Sequence, residues 1–72
     1  MKPTAIETPE KLGLVIKARR KELGLNQTEL ADVARVTLRL VSELERGKPT
    51  AQLYGILRVL AALGIELEGR AR

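Results

Sequence analysis

The chain contains no cysteine and no histidine. The first absence excludes a disulfide as a stabilising device. The two together exclude a Cys/His zinc site. With no histidine, no phosphate-cradling glycine loop and no carboxylate pair at a plausible cleft, an enzyme is not expected. Aromatic side chains are nearly missing, Tyr54 being the only one. A platform that stacks single-stranded bases needs several, so that class is set aside as well. No apolar run approaches the ~18 residues that cross a bilayer. The stretch MKPTAIETPEK, residues 1–11, lacks the apolar core of a secretory signal, and a cytoplasmic protein is expected.

What remains is small and basic. Seventy-two residues make one domain near the lower limit for a self-sufficient core. A chain of this size commonly relies on an added device, and dimerisation is the obvious one left. Thirteen Lys and Arg against nine Asp and Glu give a net charge of +4, with a pI near 10.0. That surplus favours a polyanionic partner, although a basic solvated surface shows the same balance.

Helix punctuation divides the chain. Residues 1–7 read as a short arm. Thr8-Pro9-Glu10 is a helix start, with Thr8 as the cap, Pro9 at the first helical position and an acid in the first turn. The first helix runs to about Leu23, with Leu12, Val15, Ile16 and Leu23 on one face and Lys11, Lys17 and Lys21 on the others. Gly24 ends it as a left-handed cap. Asn26 and Glu29 form a capping box for a short second helix, Gln27 to Ala34. Thr37 caps a third, Leu38 to about Arg46, which Gly47 stops before a Lys48-Pro49 turn. Thr50 caps a fourth, Ala51 to Leu63, with the apolar stripe Leu53, Ile56, Leu57, Leu60 and Leu63. Residues 8–64 are thus a helical core. In the tail, residues 65–72, Ile65-Glu66-Leu67-Glu68 alternates apolar and acidic, the period of a strand. A lone strand has no ladder inside a helical chain, so it is disordered or pairs with another molecule.

The stretch QTELADVARVTLRLVSELER, residues 27–46, carries the functional signal. It reads as two short helices joined by a tight turn. Ala31 sits where they cross, and Leu30, Ala34, Val36, Val41 and Leu44 lock the pair. Thr37, Leu38, Arg39, Ser42 and Glu43 have no packing duty at that spacing. They fall at the start and on the outer face of the second of the two helices, where a DNA major groove is read.

LGLNQTELA (Leu23 to Ala31) followed by SELERGKP (Ser42 to Pro49) resembles the XRE-type helix-turn-helix family of the lambda repressor and Cro. The likeness spans about Leu12 to Leu63. The ending LGIELEG resembles the HipB-type antitoxin branch, whose tail strands pair across a dimer. The resemblance implies an all-α, four-to-five-helix, lambda-repressor-like DNA-binding domain with a short C-terminal β-strand. In that family Gln27 binds a DNA phosphate, and Thr37 caps its helix and touches the DNA backbone. Leu38, Arg39, Ser42 and Glu43 face the bases, and Lys48 grips phosphate. Asn26 and Arg46 complete the set assigned to DNA. Arg39 is the strongest candidate for a base contact, because a guanidinium bonds guanine O6 and N7 together. Glu43 either accepts from cytosine N4 or orients Arg39, four residues earlier. Arg20 and Glu45 match a pair bridging the first and third helices, and Ile65 and Leu67 match the dimer strand. One position departs from the pattern. Relatives usually have glycine in the turn between the second and third helices, where this chain has Arg35. A left-handed arginine there costs roughly 1 kcal/mol.

The implied function is a homodimeric repressor on a palindromic double-stranded operator. More narrowly, it is an antitoxin that represses its own operon and binds a HipA-like kinase toxin. The alternatives are a stand-alone XRE-family regulator and a protein-interaction module that has lost DNA binding. No cofactor or metal is implied.

Overall fold

The computed structural model describes residues 5–49 and 52–72. Four α-helices follow in order: α1 (Pro9–Glu22), α2 (Gln27–Ala34), α3 (Leu38–Glu45) and α4 (Leu53–Ala62). Thr8 Oγ1 accepts from the Lys11 amide at 3.1 Å. Asn26 Oδ1 accepts from the Glu29 amide at 2.7 Å, while Glu29 Oε1 accepts from the Asn26 amide at 2.8 Å. Thr37 Oγ1 accepts from the Leu40 amide at 3.1 Å. These bonds satisfy amides that a helix start otherwise leaves without acceptors, and the first three starts lie where the sequence marks them. The fourth start differs from the others, since Gln52 occupies the cap position without a side-chain capping bond. The expected cap Thr50 and first residue Ala51 lie outside the described residues.

The four helix ends share one device. The amides of Leu25, Val36, Lys48 and Ile65 donate back to the carbonyls of Arg20, Ala31, Glu43 and Leu60, at 3.1, 3.0, 3.0 and 2.9 Å. Each bond reaches back five residues across one left-handed residue, the Schellman pattern. Three of those left-handed residues are glycines and the fourth is Arg35, at φ 59° and ψ 46°. The turn therefore keeps its ordinary left-handed shape although glycine is missing from it, and Arg35 carries the Cβ strain, roughly 1 kcal/mol.

The core is contiguous. α1 packs on α3, and α2 packs on both α3 and α4. Ile16, Leu30, Val41 and Val59 are fully buried, and Ala31, Ala34, Leu40, Leu44, Leu60 and Leu63 join them. Two expectations are corrected. Leu23 is exposed, because it is the C-cap of α1 and has left the helical face. The apolar stripe of α4 splits: Val59 is buried in place of Leu53 and Leu57, which stand in solvent at 63% and 39% exposure. Arg19 Nε donates to the Leu63 carbonyl at 3.0 Å, holding the end of α4 against α1. Beyond it, Ile65 packs partly on the core, whereas Leu67 is exposed. Among the described residues there is no strand. Residues 65–72 have no partner ladder within one chain, and an isolated strand leaves its backbone groups unpaired.

One close approach was not visible in the sequence pattern. Gly13 is buried where α1 crosses the end of α3. A Cβ there would overlap the Leu44 carbonyl oxygen and sit 2.9 Å from that of Glu45. Both are backbone atoms, so the helices would have to separate. Gly13→Ala gains about 1 kcal/mol of helix propensity. Overpacking costs about 1–3 kcal/mol or more. We expect a net loss of up to about 2 kcal/mol, read from the urea midpoint at constant slope. A stabilised variant would show that the helices slide apart without cost.

Candidate nucleic-acid interface

α3 is amphipathic, with one face packed and the other turned to solvent. Leu40, Val41 and Leu44 point into the core. Leu38 is 48% exposed and the Arg39 side chain 83% exposed. Thr37 is exposed, and Ser42 and Glu43 are half-buried. The structure thus brings Thr37, Leu38, Arg39, Ser42 and Glu43 together along one outward strip. An eight-residue helix is about 12 Å long, comparable with the width of a major groove at about 12 Å.

The strip is held from beneath by a buried ion pair. Arg20 Nε donates to Glu45 Oε2 at 2.6 Å and Arg20 Nη2 to Glu45 Oε1 at 2.9 Å. Arg20 Nη1 donates to the Leu25 carbonyl at 2.8 Å. The two side chains are 10% and 3% exposed. Gln27 Nε2 also donates to Glu45 Oε1, at 3.2 Å. The bridge expected between the first and third helices is therefore present, and it reaches the start of α2 as well. The hydrogen bonds that Arg20 donates to Glu45 raise the Arg20 pKa against the opposing effect of burial. Burial pushes the Glu45 carboxyl up, but the bonds from Arg20 and Gln27 and the charges of Arg20 and Lys17 outweigh it. The result lies below the ordinary carboxylate value.

Gln27 is half-buried with its side chain turned to Glu45. Its amide nitrogen has two hydrogens, so one faces Glu45 and the second is available to an outside acceptor. Asn26 spends its side-chain oxygen on the capping box and keeps its amide hydrogens. At the far end of α3, Lys48 Nζ donates to Glu43 Oε2 at 2.9 Å, and Arg39 Nε reaches the same oxygen at 3.5 Å. The bond from Lys48, followed by the charges of Lys48 and Arg39, holds the Glu43 carboxyl low. Glu43 is thus bound more closely to Lys48 than to Arg39, which stays extended and accessible. Arg46 is exposed and without an ion pair among the described residues.

Two residues to which the sequence pattern gave no role lie at the other end of α3. Arg58 stacks on Tyr54, its guanidinium carbon 5.0 Å from the ring centroid. Its Nη1 donates to the Arg35 carbonyl at 3.4 Å. Together with Arg35 and Thr37 they line a shallow depression. The available signal was a basic residue four positions after the lone aromatic, a helical i,i+4 pair.

Among the described residues no group of three His, Cys, Asp or Glu is placed to hold a metal. No described helix is long and apolar enough to cross a membrane. The helix-turn-helix family model matches residues 16–69. The chain belongs to the XRE-type helix-turn-helix family. The uncharacterised HTH-type transcriptional regulator y4mF of Sinorhizobium fredii is 48% identical over 63 residues, 88% of this chain and 83% of that protein. The restriction-modification controller protein C.AhdI from Aeromonas hydrophila is 33% identical, with a TM-score of 0.72 over 81% of this chain and 88% of that one. A HipA-HipB-O2-O3 complex contains a chain that superposes with a TM-score of 0.84, covering 96% of this chain and 97% of that one. At 22% identity that last likeness is one of fold. This XRE-type protein is a transcriptional regulator, and its family is one of DNA-binding proteins rather than enzymes.

In this regulator the Arg20–Glu45 pair fixes how α3 is presented, and its loss should be costly. Glu45→Ala leaves a buried guanidinium unpaired, which typically costs about 3–5 kcal/mol. The acid dependence follows from the lowered Glu45 pKa. Its contribution is complete above the ordinary carboxylate value of 4.5 and drains away as pH falls through the lower folded-state value. Urea melts from neutral to acid pH should show this loss in the parent and a flatter profile in Glu45→Ala. Equal slopes would place the acid sensitivity elsewhere.

Proposed function

We propose that this regulator is a homodimeric repressor that reads a palindromic operator with α3. The observation that carries the reading is the outward strip Thr37-Leu38-Arg39-Ser42-Glu43 on a helix whose opposite face is fully committed to the core. Nothing in the packing requires Leu38 or Arg39 to be where they are. Arg39 reads a guanine edge, Leu38 packs on a thymine methyl, and Thr37 touches the backbone. Ser42 lies along the bases, and Glu43 steers Arg39 and Lys48. Gln27, Asn26, Arg46 and Lys48 hold phosphates.

Dimerisation uses the tail. Leu67 is exposed, and Leu53 and Leu57 lie one turn apart on α4 in solvent. Apolar side chains left in water by so small a domain favour self-association. Pairing of Ile65-Glu66-Leu67-Glu68 with its copy would supply the missing ladder. The narrower reading is a HipB-like antitoxin with a HipA-like kinase partner, supported by the likeness of fold to the chain in the HipA-HipB-O2-O3 complex. The higher identity to C.AhdI favours a stand-alone regulator as the second reading.

Two experiments test this. Deleting residues 65–72 should shift sedimentation from dimer toward monomer and lower stability; an unchanged sedimentation profile would remove the tail from the interface. For readout, Arg39→Ala and Lys48→Ala are compared at one salt concentration, on a duplex from the region upstream of the protein's own gene and on its scrambled counterpart. Arg39→Ala should cost about 1–3 kcal/mol on the preferred duplex and less on the scrambled one. Lys48→Ala should weaken both by a similar factor. An unchanged ratio for Arg39→Ala would assign readout to Leu38, Ser42, Glu43 or DNA shape.

A further inference from the structure

The phosphate-holding residues assigned so far gather at one end of α3. Gln27 is bonded to Glu45 and Lys48 to Glu43, and both acids lie in the last turns of that helix. A major groove is bordered by a phosphate backbone on each side, and cationic side chains gather at the other end of α3 as well. The depression there is lined by Arg35, Val36, Thr37, Gln52, Tyr54 and Arg58 among others. It brings together the N-terminus of α3, the α2–α3 turn and the first turns of α4.

Three features of this depression are specific. Arg35 occupies a left-handed position that favours glycine, and its side chain is exposed with no bonding partner among the described residues. Arg58 is held by Tyr54 and by the Arg35 carbonyl, and neither neutralises its charge. The ion pairs formed elsewhere by Arg19, Arg20, Arg39 and Lys48 do not reach it. Two unneutralised guanidinium groups thus stand beside Thr37, whose hydroxyl caps the helix. The Tyr54 ring limits the orientations open to Arg58 and leaves its donors for an anion.

We propose that Arg35 and Arg58, with Tyr54 as the platform that orients Arg58, form a second phosphate clamp that grips the DNA strand across the groove from Gln27 and Lys48. This rests on the DNA-binding reading above. α3 would then be held at both ends, with one backbone strand at each. It gives the strained Arg35 a role that glycine could not fill, because the position supplies a charge as well as a turn.

Arg35→Gly makes the test clean. It removes the guanidinium while keeping a residue that adopts the left-handed turn freely, so the fold should hold or gain thermal stability. The full-length protein, Arg35→Gly, Arg58→Gln and Arg58→Glu are titrated against a fluorescein-labelled mixed-sequence duplex at several salt concentrations, with thermal melts in parallel. Removing one phosphate-binding side chain should flatten the log–log salt slope by about 0.9, or about 1.8 for both protomers of a dimer. Affinity should fall roughly tenfold for Arg35→Gly and Arg58→Gln, and further for Arg58→Glu. If the parent binds with a steep salt slope and Arg35→Gly, still folded, keeps both its slope and its affinity, the clamp is overturned while the DNA reading stands. If the parent itself shows no salt-dependent binding, both fall.

Discussion

The structure turns on one buried pair of charges. Arg20 and Glu45 lie far apart in the sequence, yet they join α1, the α1–α2 turn, the start of α2 and the end of α3 through four hydrogen bonds. Burying either charge alone would be expensive, because a single neutral neighbour does not replace the hydration that burial removes. The pair is tolerated because the three guanidinium nitrogens each have an acceptor and each carboxylate oxygen has a donor. No described buried side-chain nitrogen or oxygen is left without a partner. The consequence is geometric more than energetic. Hydrophobic packing would allow α3 to rotate or slide by fractions of a turn. A bidentate guanidinium–carboxylate contact permits few alternatives. The outward strip of α3 inherits that definition.

The close approach at Gly13 depends on the same arrangement. Glu45 meets Arg20 where the backbone of α3 lies directly on α1, and Gly13 is the residue that lets the two come that near. A larger residue would lift α3 away from the arginine. The bond from Gln27 then passes the position of α3 to the N-terminus of α2. The two helices of the recognition unit are therefore coupled by a polar contact as well as by Leu30, Ala34 and Val41.

Much of this was legible in the sequence because the information was local. Thr8, Asn26 with Glu29, and Thr37 marked helix starts through bonds spanning three residues. Gly24, Gly47 and Gly64 marked ends, and Arg35 stood out against the family pattern at the position where the chain turns left-handed. What could not be read depends on distant neighbours. Nothing near Gly13 in the sequence announces α3. The assignment of Leu53 and Leu57 to the core failed because an apolar stripe on α4 is wider than the surface the rest of the chain offers it. The core takes Val59 and Leu60 and leaves the stripe's edge in water. Gln27 was placed correctly on its helix, but its inward bond to Glu45 could not be foreseen from the residues around it. For Arg58 the sequence carried only its i,i+4 spacing from Tyr54, and its place beside the α2–α3 turn emerges once that turn is folded against α4.

The Glu43 carboxylate has a consequence of its own. It sits on the outward strip of α3, accepts from Lys48 and lies near Arg39, so the free protein already carries an anion where its cations point. On the proposed reading, docking on DNA would exchange one anion for another, with Lys48 leaving a carboxylate to meet a phosphate. The net gain from such a swap is smaller than an unoccupied lysine would give. On that reading it would lower the affinity for every polyanion alike, whereas a bond from Arg39 to a base edge would meet only the longer contact with Glu43. An acidic residue among the cations would then act as a threshold: indiscriminate attraction would be muted, and the share of binding that depends on sequence would grow.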